Sequence, residues 1–244
     1  MWANTSPLQL MKQEFNMNDI HKIAKVGVVL WLVLVLGAAA LVWNDRQVDP
    51  AALLESNTYR VTTTEFNEEY RGGVGTGVWL DERTFITNCH VAAQAAPDHT
   101  MSITNHTGTE VYKMDVVACD KGMDLALLRP LRPNKSVTRV RFGTPRFFEK
   151  ILTAGYGFGM NLTPKVGVIG LLMDAGLSTK SRQLTFPVAP GDSGSPVFNE
   201  DGELVCVVNA GFLTKTFNGA TVPLADRALC IPARAVRVFL LLYQ

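Results

Sequence analysis

The chain has 244 residues, 47% of them hydrophobic and 18% charged, a balance that suits one sizeable globular domain or two small ones and excludes disorder as the default state. Its formal net charge is +1, and no basic stripe interleaved with aromatics offsets that near-neutrality, so nucleic acid is excluded as an expected partner. Four cysteines, Cys89, Cys119, Cys206 and Cys230, form no C-x-x-C pair and lie too far apart for a metal knuckle, so no metal site is expected.

From Val26 to Trp43 the chain runs without a charge, preceded by His21, Lys22 and Lys25 and followed by Asn44, Asp45 and Arg46. A helix of that length covers ~27 Å, close to the thickness of the hydrocarbon core, and inside lipid it satisfies its own backbone groups. Residues 26–43 are therefore expected to be a single transmembrane helix, a signal-anchor. The lysines on its N-terminal side place residues 1–25 in the cytoplasm and export the rest, to a periplasmic or extracellular/lumenal face. Two other readings fit the same residues: a cleaved export signal, with Ala38-Ala39-Ala40 as the processing site, and a buried core helix. Residues 44–58, which mix charge, Pro and small residues, read as a linker with one short helical turn at Ala51–Glu55.

From Tyr59 onward the chain breaks into short β-rich runs bounded by Gly, Pro, Asn and Asp, among them TFITN, LALLRP, KILTAG, KVGVIGLLM and ELVCVVNAG. Such spacing predicts an all-β barrel or sandwich over residues 59–244. Only Pro232–Tyr243 has the length and composition of a helix, with Pro at its start.

Three strings carry chemistry. APGDSGSPVF, residues 189–198, flanks Asp192-Ser193 with Gly191 and Gly194; a sharp turn of this kind exposes Ser193 as a nucleophile and lets the N–H groups of Gly191 and Ser193 form an oxyanion hole. Taken alone, G-D-S-G is also an ordinary β-turn. FITNCHVA, residues 85–92, puts His90 at the end of an apolar strand as a general base, and DLALL, residues 124–128, puts Asp124 at the start of another, where its carboxylate can orient the imidazole. The order His, Asp, Ser along the chain joins the three strings into one catalytic triad. An α/β-hydrolase is excluded, because those enzymes use G-x-S-x-G and run Ser, Asp, His.

These strings resemble those of chymotrypsin/trypsin-like superfamily serine proteases, particularly the HtrA-type and glutamyl-endopeptidase-like branches. GTGVWLDERTFITNCHVA resembles the glycine-led entry to the histidine, and GDSGSPVFNEDGELVCVVNAG the nucleophile turn with its hairpin. ALCIPARAVRVFL resembles the last strand and closing helix, so the likeness spans Gly73 to Tyr243. It implies two packed six-stranded antiparallel barrels with the active site between them, His90 and Asp124 from the first and Ser193 from the second. It also implies a substrate pocket lined by Thr185–Pro190 and Val208–Phe212, with Val208, Asn209, Ala210 and Gly211 as substrate-binding residues.

Two features depart from the family. HtrA-type enzymes carry a neutral residue before the serine and a PDZ domain after the barrels, whereas this chain has Asp192 and ends at Gln244 without one. Chymotrypsin-type zymogens pair such an aspartate with a new N-terminus, yet no I-V-G-G start follows the linker, which leaves the partner of Asp192 open. Cys206 and Cys230 fall on strands that the resemblance makes neighbours, while Cys89 and Cys119 lie beside the histidine and aspartate strings. One disulfide per barrel and four buried free thiols are equally open, and four cysteines allow three pairings. The expectation is a membrane-anchored serine endopeptidase acting on polypeptide substrates without any cofactor. A catalytically inactive barrel used as a binding module, and a structural envelope or virion component, are the alternatives.

Overall fold

A computed structural model describes residues 25–37, 48–63, 73–94, 101–174, 176–217 and 220–244, in two units, Met1–Gln47 and Val48–Gln244. In the first unit residues 25–37 form helix α1, whose apolar side chains from Val26 to Leu36 are exposed. Residues 38–43 of the expected span lie outside the described residues, as do residues 1–24. Among the described residues no helix is long and apolar enough to cross a membrane.

The second unit begins earlier than residue 59. Pro50–Asn57 form helix α2, started by Asp49, whose side chain accepts from the Ala51 N–H at 2.9 Å, and by Pro50 at a position where its missing N–H costs nothing. Leu53 and Leu54 are 1% and 5% exposed. Most of the expected linker is thus folded, because two adjacent leucines find a core to fill.

Six strands follow: β1 (Thr58–Thr63), β2 (Gly73–Asp81), β3 (Thr84–Thr87), β4 (Met101–Thr104), β5 (Val111–Asp120) and β6 (Leu125–Pro130). They close into a barrel in the order β1-β2-β3-β6-β5-β4. Helix α3 (Cys89–Ala92) is a single turn after β3. The remaining strands are β7 (Arg141–Phe142), β8 (Lys150–Gly155), β9 (Thr163–Met173), β10 (Ser181–Leu184), β11 (Pro196–Asn199), β12 (Glu203–Phe217) and β13 (Ala220–Pro232), followed by helix α4 (Ala233–Tyr243). β11-β8-β9-β10-β13-β12 form the second six-stranded barrel, closed by the β11–β12 pairing, and β7 runs parallel to β12 outside it. The molecule is all-β with a C-terminal helix, as the strand spacing predicts.

Side chains sort by the two-residue period of a strand. Trp79, Phe85, Ala126 and Leu128 point into the first barrel with Tyr59 and Tyr112; Trp79 meets Phe85 edge-on, with ring centroids 5.2 Å apart. Val197, Val205, Cys206 and Val208 point into the second barrel, the neighbours Val205 and Cys206 both doing so because the pairing of β12 with β11 shifts register there. The alternate residues, Val78, Leu80, Leu125 and Leu127 from one barrel and Phe198, Leu204 and Val207 from the other, meet in a third cluster completed by Leu53, Leu54, Phe239 and Leu240. Strands such as ELVCVV are apolar on both faces for this reason: one face fills a barrel and the other joins the two.

Candidate active site

His90 lies in α3, one residue beyond its start, so the end of the FITN strand is extended by a helical turn that lifts the ring out of the sheet. Asp124 closes the turn before β6 with a left-handed backbone, φ 53°; Asn88 stabilises that turn by donating from Nδ2 to the Asp124 carbonyl at 3.0 Å. Three donors meet the Asp124 carboxylate. Oδ1 accepts from the His90 main-chain N–H at 2.9 Å, and Oδ2 accepts from His90 Nδ1 and from Asn209 Nδ2, both at 2.7 Å. A carboxylate facing Nδ1 puts the ring proton there and leaves Nε2 as the acceptor. The aspartate side chain is 11% exposed and the imidazole 46%, so the anion is sheltered while the ring stays open to a substrate.

Ser193 stands between two glycines with positive φ, Gly191 at 102° and Gly194 at 91°. Both conformations and both sites exclude a side chain: a Cβ on Gly194 would lie 1.9 Å from the Thr76 carbonyl oxygen, and one on Gly191 would lie 2.4 Å from that of Tyr156. The turn is tied on each side, Asp192 N–H to Ala189 O at 2.9 Å and Ser195 N–H to Asp192 O at 3.0 Å. Among the described residues the N–H groups of Gly191 and Ser193 meet no acceptor, which leaves both available to a developing oxyanion. Ser193 Oγ donates to the Asn209 carbonyl at 3.3 Å.

Asn209 therefore joins the two halves of the site, its amide on Asp124 and its carbonyl on Ser193. Thr76 of β2 joins them a second time. Its N–H donates to Ser193 O at 2.8 Å, and its hydroxyl donates to Gly191 O at 2.7 Å while accepting from Tyr156 N–H at 3.0 Å. The open question of Asp192 also has an answer: its carboxylate points inward, 3% exposed, and pairs with Lys165 of β9.

The structure brings His90 and Asp124 into direct contact and links Ser193 to them through Asn209. Of the four residues expected to bind substrate, Val208 is fully buried and has both main-chain groups bonded to the nucleophile turn, its carbonyl to Gly194 N–H and its N–H to Ser195 O, each at 2.8 Å. Ala210 and Gly211 continue β12 opposite Leu229 and Ala228, and their side-chain surroundings lie outside the described residues. The cysteines pair as Cys89–Cys119 and Cys206–Cys230, one disulfide in each barrel. Thr76, Lys165 and the contact of Asn209 with Asp124 carry no signature in the sequence, since each acts on a partner far along the chain.

Comparison with known proteins points the same way. Residues 75–207 match the trypsin-like peptidase domain. The chain is 25% identical over 177 residues to the magnetosome formation protease MamE of Paramagnetospirillum magneticum, covering 69% of this chain and 23% of that protein. It is 28% identical over 168 residues to the serine protease Do-like HtrA of Bacillus subtilis, covering 62% and 36% respectively. It thus spans about a quarter to a third of the length of these relatives. Among solved structures, the HtrA-type protease AlgW with tripeptide superposes with a TM-score of 0.64 at 22% identity, over 78% of this chain and 61% of that one, a likeness of fold.

Proposed function

Because the chain belongs to the trypsin-like peptidase domain family, we propose that it is a serine endopeptidase that hydrolyses peptide bonds through an acyl-enzyme on Ser193. The observation that carries this reading is the Asn209 bridge, which ties the His90–Asp124 pair to the nucleophile turn through bonds of 2.7 and 3.3 Å. His90 Nε2 takes the proton from Ser193 Oγ as the hydroxyl attacks the scissile carbonyl, and Asp124 holds the resulting imidazolium. The N–H groups of Gly191 and Ser193 receive the negative charge that forms on the carbonyl oxygen. His90 then protonates the leaving amine, and water releases the acyl group by the reverse sequence of transfers. The segments Thr185–Pro190 and Val208–Phe212 contain no charged residue; a Lys or Arg side chain gains no carboxylate partner from them, so small or apolar residues are preferred before the scissile bond.

The domain works from a membrane anchor. Residues 26–43 carry no charge, and those described as helical expose their apolar side chains; lysines precede them, so the catalytic unit lies on the non-cytoplasmic face. Protease protection on sealed membranes together with the mass of the mature chain tests this. A protected, cytoplasmic catalytic unit overturns the orientation, and a chain starting near Leu41 replaces the anchor with a cleaved signal.

Labelling with a fluorophosphonate tests the chemistry. The wild-type chain takes up the probe, Ser193→Ala takes up none while keeping its fold, and His90→Ala is slowed on the order of 10⁴-fold or more. A wild-type chain that remains unlabelled is a binding module.

A further inference from the structure

We propose that Lys165 is the positioning residue that presets the nucleophile turn, holding it in working geometry within the uncut chain so that no new chain terminus is needed; the inference rests on the peptidase reading above. Asp192 stands between Gly191 and Ser193, the two residues whose N–H groups face the oxyanion. Its side chain runs the opposite way, into the second barrel, where it is 3% exposed. There Oδ2 takes the Lys165 ammonium and the Ala189 N–H, the latter at 2.7 Å, while Oδ1 has no partner among the described residues. The charge of this carboxylate is therefore met by one cation and one amide.

Room for the pair is built in. A Cβ on Gly155 would lie 2.5 Å from Asp192 Oδ1, and one on Gly157 would lie 3.3 Å from Oδ2. Lys165 is fixed on β9 opposite Thr153 of β8, so its stem leaves a paired strand and its side chain is only 18% exposed. An ionised carboxylate buried this far persists only with a counter-charge. Without the ammonium, the Asp192 carboxylate is left unpaired in the interior and swings toward water. The swing turns the 192–193 peptide, and with it the N–H of Ser193, and pulls on Gly191, whose N–H lies in the adjoining 190–191 peptide. Lys165 thereby acts on the developing charge through Asp192 and touches no substrate itself, so its loss lowers kcat and leaves KM largely unchanged.

The test uses the full chain with Lys165→Met, Asp192→Asn and the two combined. The second-order rate of fluorophosphonate labelling, the split of peptide hydrolysis between kcat and KM, and amide exchange resolved by segment are measured for each. Lys165→Met is expected to label roughly 10²-fold more slowly, because it leaves a buried charge unpaired. Exchange should quicken about 10-fold in residues 187–195 and stay unchanged in the first barrel. The double variant recovers to within about 10-fold of wild type, since removing both charges removes the unpaired one; this non-additivity is the signature of a coupled pair. Lys165→Gln, which keeps a donor and loses the charge, lies between wild type and Lys165→Met and serves where the methionine variant fails to fold. Unchanged exchange in residues 187–195 together with unchanged labelling overturns the proposal, as does a double variant whose loss is the sum of the single losses. If the wild-type chain takes no phosphonate, the peptidase reading fails by itself. Segment exchange then still decides whether Lys165 holds the turn: faster exchange in Lys165→Met supports it, and unchanged exchange overturns it.

Discussion

Asn209 performs two tasks that its place in an apolar strand does not announce, since the amide bonds a buried carboxylate and the carbonyl accepts the serine hydroxyl. A hydrogen bond to an ionised group contributes about 1.5–3 kcal/mol, so Asn209→Ala is expected to slow fluorophosphonate labelling about 10- to 100-fold while the circular dichroism spectrum is unchanged. The sequence singles out His90, Asp124 and Ser193 as candidates because each sits in a short string of glycines and apolar residues with a fixed order. The contact of Asn209, expected only as a substrate-binding residue, with Asp124 and that of Thr76 with Gly191 could not be read there, because the partners are 85 and 115 residues away and one polar side chain in a strand has no local pattern. Two tyrosines make a separate prediction. Burial pushes the Tyr156 phenol up to about 12, against a smaller opposing pull from Arg60, and burial together with the Glu110 carboxylate pushes Tyr59 up as well. Both are neutral in the folded state. Their contribution is fully present below the ordinary tyrosine value of about 10 and is lost as pH rises through the folded values. Thermal midpoints should therefore fall steeply between about pH 10 and 12, and the 295 nm phenolate band of these two residues should appear with unfolding; a flat midpoint over that range contradicts the assignment.

At the scale of the elements, α3 and the β5–β6 turn each bring one member of the His90–Asp124 pair, and the Cys89–Cys119 disulfide staples one to the other across a separation of 30 residues. Closing a loop of that length in the unfolded chain is worth about 3–4 kcal/mol. Replacing both cysteines with serine should lower the unfolding free energy by that amount in urea titrations. Labelling by the phosphonate should fall further than it does on loss of Cys206–Cys230, which lies within the second barrel away from His90. Equal effects from the two pairs would show that the first staple serves the fold alone. The sequence left these pairings open, since spacing alone does not choose among them. Residues 44–58 read as a linker with one helical turn at Ala51–Glu55; α2 contains that turn, but Leu53-Leu54, a lone apolar pair among Pro, Ala, Glu and Asn, gives no sign of the core it enters. Those leucines find their partners elsewhere: a Cβ on Gly202, in the turn between β11 and β12, would stand 3.4 Å from Leu53 Cδ1. The β-strands were legible for the opposite reason, being dense apolar runs cut by glycine and proline.

For the whole molecule the decisive cluster is the one neither barrel owns. Val78, Leu125, Phe198 and Val207 face one another there, and α4 covers them with Val236, Phe239 and Leu240. Phe239 is fully buried, and its loss to alanine is expected to cost about 3–5 kcal/mol. Denaturant unfolding of Phe239→Ala checks this, and a loss below about 1 kcal/mol would mean that the helix only rests on the surface. The same arrangement sets a timetable. His90 and Asp124 are made early, but the turn that carries Ser193 is held by Thr76 of the first barrel, and the surface on which the barrels meet is closed by α4, which follows both barrels along the chain. A nascent chain whose α4 is still held in the ribosome therefore carries His90, Asp124 and Ser193 without the apolar surface that joins their two barrels.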